Sequence, residues 1–350
     1  MKMTFRWYGK DDPISLEYIK QIPGVRGIVS AIYDIPVGDV WPFEKIRALK
    51  KEIESADLEL SVIESVPVHE DIKLGKPTRD QYIENYCQTL RNLGKAGIKV
   101  VCYNFMPVFD WTRSQLDYRL EDGSTALIYN EYDIAKMDPL KGELSLPGWD
   151  SSYSKEDLAS LFEAYKVIDE EKLWEHLAYF INKVIPVAEE EEDILMAIHP
   201  DDPPWNIFGL PRIITSKANL ERFIQLHPSK HNGLTMCSGS LGSDKKNDFP
   251  DMLTYFGKKG RVHFVHARNV KLVGDKSFQE SAHLSEEGSI DMYKVIKALH
   301  DFEYEGPIRP DHGRMIWGEI GKPGYGLYDR ALGATYLNGL YEAIQKSNQV

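Results

Sequence analysis

His199, Cys237, His266 and Asp311 each stand at the end of a short, mostly apolar run. The runs are residues 194–198, 234–236, 262–265 and 307–310, and each suits a β-strand. If the four strands are parallel neighbours, their carboxyl ends form one ring and the side chains converge. Two imidazoles, a thiolate and a carboxylate then make a donor set for a divalent transition metal such as Zn, Fe(II) or Mn(II). An ionised Cys237 and Asp311 bring two negative charges that such an ion neutralises. Room for substrate oxygens beside four protein donors favours six-coordinate Mn(II) or Fe(II) over Zn, which often stops at four. Taken singly, each residue has an ordinary alternative: a small buried thiol, a hydrogen-bonded imidazole, an Asp that caps a turn. Four of them at consecutive strand ends point to one shared ion.

The neighbours of this set could move protons. His312 follows Asp311 directly, and imidazole titrates near neutrality, so it is the natural proton-transfer residue. Tyr325 lies in the glycine-flanked stretch Pro323-Gly324-Tyr325-Gly326, from which a phenol could swing over the site as an acid. The alternative is a solvent-facing aromatic in a turn. His312 is the better base, because a neutral imidazole is available at physiological pH whereas a phenol is protonated. Asp201 and Asp202 could orient the imidazoles or simply form a turn, and Ser238-Gly239-Ser240 could aim N–H groups at a carboxylate or do the same. Candidate substrate contacts near strand ends are His69, Asn104, Arg268 and Arg314. Either arginine could pair with a carboxylate of the substrate, or else brace Asp311 or a loop.

These residues need a scaffold, and the chain supplies an alternation. Strand-like runs occur at 4–8, 27–33, 58–66, 99–105, 194–199, 233–237, 262–266 and 308–311. Amphipathic stretches at 43–53, 79–93, 158–188, 217–226, 290–299 and 328–345 read as helices between and after them. Eight such units predict a closed (β/α)8 barrel formed as one domain over 1–350. Strand parity places His266 with Phe264 on one face and His263 with Val265 on the other, so His263 should pack beneath a helix. Cys237 shares a face with Thr235, and His199 with Ala197 and Leu195. The interval 107–152 reads as an insertion on the catalytic face, a lid or an oligomer contact, which makes a homo-oligomer the expectation. The acidic run 189–193 should sit in a solvated turn before the fifth strand.

Composition narrows the function. The 350 residues carry 42 basic and 54 acidic side chains, a net charge of −12, which disfavours nucleic acid and anionic membrane surfaces as partners. No apolar run approaches the ~20 residues of a membrane span, and the first residues show no secretory pattern. Three cysteines without framework spacing suit a reduced, cytoplasmic protein. Walker, dinucleotide and nucleophile-elbow patterns are missing.

Several blocks together resemble the mannonate dehydratases. They are His199-Pro200-Asp201-Asp202-Pro203, Met236-Cys237, His266-Ala267-Arg268-Asn269, Arg309-Pro310-Asp311-His312-Gly313 and the stretch 324–330. Phe5-Arg6-Trp7-Tyr8-Gly9 and the stretch 147–152 are similar too, so the resemblance spans essentially the whole chain. It implies a xylose-isomerase-like TIM barrel using Mn(II) or Fe(II), and the conversion of D-mannonate to 2-dehydro-3-deoxy-D-gluconate and water in glucuronate catabolism. It also implies metal ligation by His199, Cys237, His266 and Asp311, with His312 and Tyr325 as the acid–base pair. A sugar isomerase or epimerase on the same barrel is the main alternative, although such enzymes tend to carry more carboxylate ligands. A non-catalytic sugar-acid-binding protein is the other.

Overall fold

Eight parallel strands close into a barrel in the computed structural model, which describes residues 1–140, 154–190 and 194–347. In chain order the strands are β1 (Lys2–Arg6), β2 (Gly27–Ser30), β3 (Glu59–Glu64), β4 (Val100–Tyr103), β5 (Gln115–Arg119), β6 (Thr125–Tyr129), β7 (Leu195–Ile198), β8 (Asn232–Cys237), β9 (Val262–His266), β10 (Val270–Gly274), β11 (Ser277–Glu280) and β12 (Pro307–Arg309). The barrel runs β1-β12-β9-β8-β7-β4-β3-β2, so all eight sequence-predicted runs are staves. Their Val- and Ile-rich composition suits strands buried on both faces.

Parity along the staves divides the core in two. Val29, Val62, Val100, Cys102, Ala197 and Phe264 pack together as a compact plug inside the barrel. The opposite faces join a larger cluster that reaches the outer helices, with Phe5, Ile28, Ile63, Met236 and Val265 among its members. Phe264 thus points inward and carries His266 above it, ring edge to face at 4.6 Å. His263 points outward and is buried, its Nδ1 2.8 Å from the Met196 carbonyl. Burial lowers its pKa to about 4, so it stays a neutral packing residue.

Two differences from the sequence reading stand out. The helix expected over 158–188 is two helices, Lys155–Tyr165 and Glu170–Glu190. Asp169 causes the break, because its carboxylate accepts from the Lys172 N–H at 2.9 Å and caps the second helix. The acidic run also starts inside that helix, at Glu189 and Glu190; residues 191–193 lie outside the described residues.

The second difference is an accessory antiparallel sheet in the order β10-β11-β6-β5. It joins an excursion after β4 to one after β9, with Phe278 opposite Tyr129. The stretch 107–140 therefore carries two strands and a short helix, Glu131–Lys136, while 141–153 lies outside the described residues. A signal for this hairpin was available: Leu116, Tyr118 and Leu120 alternate before an Asp122-Gly123 turn, in which Gly123 has φ 85°. Among the described residues no helix is long and apolar enough to cross a membrane.

Candidate active site

Barrel register brings the predicted donors together. Cys237 at the end of β8 pairs with His266 at the end of β9, and Arg309 of β12 pairs with His266 on its other side. His199 extends β7 by one residue, its N–H donating to the Tyr103 carbonyl at 2.7 Å. One donor atom each from His199, Cys237 and His266 lies within 4.8 Å of the others. Asp311 stands at the rim of this group, its Oδ2 3.7 Å from both Cys237 Sγ and His266 Nδ1. Its backbone adopts φ 58°, a left-handed conformation that Asp tolerates better than most residues.

Proton inventory shows that the cluster fits a cation. His199 Nδ1 lies 2.7 Å from the Pro200 carbonyl, which can only accept, so that nitrogen carries the proton and Nε2 is bare. His266 Nε2 lies 3.3 Å from Glu64 Oε1. Burial pushes the Glu64 carboxyl up, but Arg309, His266 and Arg6 outweigh it and hold the group well below the carboxylate range. The ring proton of His266 therefore belongs on Nε2, and Nδ1 is bare. His199 Nε2 and His266 Nδ1 nevertheless face each other at 3.1 Å. Two lone pairs at that distance repel unless a proton or a cation shares them, and ~3 Å is the spacing two nitrogens keep on one metal ion. Cys237 Sγ and Asp311 Oδ2 add negative charge at the same seam, and Ser240 directs its hydroxyl (3.1 Å) and N–H (3.4 Å) at the sulfur.

The seam lies at the floor of a cavity of about 520 Å³, whose walls include Arg6, Tyr8, Asn104, Trp111, His199, Arg309, Asp311, His312, Lys322 and Tyr325. His312 Nε2 lies 2.7 Å from the Tyr325 hydroxyl. Burial depresses the His312 pKa and so favours neutral imidazole, against the pull of Asp311. Burial, Tyr8 and Asp311 raise the Tyr325 phenol well above its ordinary value. Both shifts favour a neutral imidazole beside a protonated phenol.

Of the weaker substrate candidates, Asn104 lines this cavity. His69 instead accepts from the Asp71 N–H at the start of a short helix, stacks on Tyr82 at 3.6 Å and faces a small adjacent recess. Arg268 is fully buried and pairs with Asp202 (2.5 Å), Asp311 (2.8 Å) and Glu280. Arg314 joins Asp122 to Asp329, both at 2.8 Å. Both arginines therefore brace rather than face the cavity. Asp201 accepts from the N–H groups of Ile213 and Ile214, and Asp202 forks onto Arg113 at 2.7 and 3.2 Å, so neither orients an imidazole.

Sequence reasoning missed Glu64, which faces His266 and is gripped by Arg6 and Arg309 at 3.0 Å each. A signal existed, since Glu64 and Arg309 are charges inside otherwise apolar strand runs. Lys322 was missed as well. It lines the cavity with Nζ 4.1 Å above the Tyr8 ring, and among the described residues no carboxylate lies within ion-pair distance of it.

Below the cavity the buried carboxylates make folding sensitive to acid. Burial pushes Glu280 up, but Arg268, His312 and Arg113 overcome it and hold the carboxyl at about 2. A free Glu titrates near ~4.3, so this stabilisation is complete above that value and lost as pH falls towards 2. Glu280 alone then contributes on the order of 3 kcal/mol. The thermal midpoint, followed by circular dichroism, should fall gently below pH ~6.5, where buried His263 stays neutral while the unfolded chain takes up a proton, and more steeply between ~4 and ~2 as the carboxylates protonate. A midpoint that holds to pH 2 would contradict these ionisations.

A parallel barrel with His199, Cys237 and His266 clustered at its strand ends where they could hold a metal ion, and an imidazole–phenol pair beside them, has the architecture of the xylose-isomerase-like barrels. Solved structures agree on the architecture: a xylose isomerase domain protein from Planctomyces limnophilus superposes with TM-score 0.59 at 13% identity, a likeness of fold alone. The D-mannonate dehydratase family model matches residues 1–350. Mannonate dehydratase 2 of Halalkalibacterium halodurans is 67% identical over 344 residues, covering 98% of this chain and 99% of the relative. The crystal structure of mannonate dehydratase from Streptococcus suis serotype 2 superposes with TM-score 0.93 at 57% identity, covering 99% of this chain and 96% of that one. The chain belongs to the D-mannonate dehydratase family.

Proposed function

We propose that this chain dehydrates D-mannonate to 2-dehydro-3-deoxy-D-gluconate and water, with Mn(II) or Fe(II) held by His199, Cys237, His266 and Asp311. The observation that carries this reading is the His312–Tyr325 pair, Nε2 and hydroxyl 2.7 Å apart, beside two imidazole nitrogens 3.1 Å from each other whose lone pairs need a cation. When bound, the divalent ion supplies Lewis-acid stabilisation to the carboxylate whose neighbouring C–H is broken. His312 Nε2 takes the C2 proton, and the C2–H electron pair becomes the C2=C3 bond. The C3–O bond breaks in the same direction, and the hydroxyl leaves as water with the proton of Tyr325. The enol product then tautomerises to the 2-keto acid. Imidazolium and phenolate remain within hydrogen-bond reach, so the proton passes from His312 to Tyr325 and the resting pair is restored.

Lys322, with Asn104, holds the oxygens of the substrate. Burial and Arg6 lower the Lys322 pKa below its ordinary value against the pull of Asp12, and its ammonium lies over the Tyr8 ring with no carboxylate at ion-pair distance among the described residues. The three free cysteines, one in the donor set, suit a reducing cytoplasm.

Protein loaded anaerobically with Mn(II) or Fe(II) should release a 2-keto-3-deoxy acid from D-mannonate. Aldose–ketose interconversion would assign an isomerase instead, and tight binding without turnover a binding protein. In the same assay, Lys322→Met should raise KM by ~10-fold, the loss of one charged contact, and change kcat far less.

A further inference from the structure

We propose that Glu280 is a positioning residue for the proton transfer, holding His312 in the tautomer whose Nε2 is bare. The inference rests on the reading of His312 as the base.

Glu280 does not belong to the barrel. It ends β11 in the accessory sheet and is fully buried. Its Oε1 lies 3.4 Å from His312 Nδ1 and accepts from Arg113 Nη2 at 2.8 Å and from Arg268 Nη1. A carboxylate flanked by two guanidinium groups is ionised and can only accept. The neutral imidazole therefore carries its proton on Nδ1, and its lone pair on Nε2 faces the Tyr325 hydroxyl. With the opposite tautomer, Nε2 would carry a proton and could take none from the substrate. The chain Glu280, His312, Tyr325 is thus one directional unit: acceptor, relay, donor.

A purely structural role explains the geometry less well. Glu280 Oε2 is buried with no hydrogen-bond partner, so the bonds of the carboxylate are concentrated on Oε1, the oxygen that faces the imidazole. Those arginines also have Asp202 as an alternative partner, Arg113 at 2.7 Å and Arg268 at 2.5 Å. The accessory sheet unites both excursions, one carrying Arg113 and the other Glu280, so the insertion after β4 helps set the base.

Kinetics, melting temperature and metal content of metal-loaded E280Q, E280D, H312A and the double variants decide the matter. A Gln amide can donate to Nδ1 and favour the wrong tautomer, so E280Q should lose on the order of 10²–10⁴ in kcat with KM and metal content close to wild type. E280Q/H312A should be no slower than H312A, because Glu280 acts through the imidazole. Equal factors lost in both backgrounds would overturn the proposal and assign Glu280 to the arginine scaffold. If E280Q fails to fold or to hold metal, E280D with E280D/H312A applies the same criterion. Full turnover in H312A would instead remove His312 as the base, a failure of the functional reading recognisable by that variant alone.

Discussion

His312→Ala is expected to hold its metal and lose ~10²–10⁴ of kcat, the range one positioned acid–base group supplies. His312 lies outside the donor cluster: the atoms that converge belong to His199, Cys237 and His266, with Asp311 at the rim. Its own ring is spent on other partners, Tyr325 at 2.7 Å, Glu280 at 3.4 Å and the Trp111 ring at 4.7 Å. In the proposed mechanism, removing it deletes the C2 base and strands Tyr325 without the group that returns its proton. Tyr325→Phe should therefore cost a similar factor, and the two changes together little more than the larger one, as expected for groups that act as a unit. Elemental analysis beside steady-state rates separates the outcomes. Wild-type kcat in His312→Ala would sink the base assignment; proportional loss of metal and rate would make His312 part of the metal site.

The convergence of His199, Cys237 and His266 was legible because it follows from local pattern alone. A stave of five residues announces its inward face by alternation, and closing eight staves in order leaves little freedom for what stands at their ends. His263 and His266 are told apart by parity with no knowledge of the rest of the fold. The bracing residues were illegible for the opposite reason. Arg113 meets Asp202 across 89 positions and Glu280 across 167, and nothing local to any of them announces the meeting.

Arginine is where local reasoning left two readings open, a substrate contact or a brace. Arg268 and Arg314 stand near strand ends as a substrate-binding arginine would, yet each is taken up by carboxylates from distant segments. Lys322 lines the cavity from a loop with no carboxylate at ion-pair distance among the described residues, so its ammonium is available to a ligand. Only the tertiary charge inventory distinguishes a bracing cation from an available one.

Cys237→Ala should lose metal and turnover together. The sulfur is the soft anionic member of the set, fully buried, supported by two donors from Ser240 and within 3.7 Å of Asp311. Without it the two facing imidazole nitrogens remain 3.1 Å apart, but the site has one negative charge fewer with which to bind a divalent cation. Metal content after gel filtration should fall at least ~10-fold, the scale on which even supporting residues of metal sites act. Thermal stability gives a second readout independent of turnover. A ligand that binds only the folded chain stabilises it by RT ln(1 + [L]/Kd), so added Mn(II) at ~100 Kd should stabilise the wild type by ~2.7 kcal/mol and leave the variant almost unmoved. The His312 variant should respond to Mn(II) as the wild type does, and that contrast separates metal-holding from proton-moving residues. Stoichiometric metal and full activity in Cys237→Ala would take the thiolate out of the site and leave His199, His266 and Asp311 to account for it.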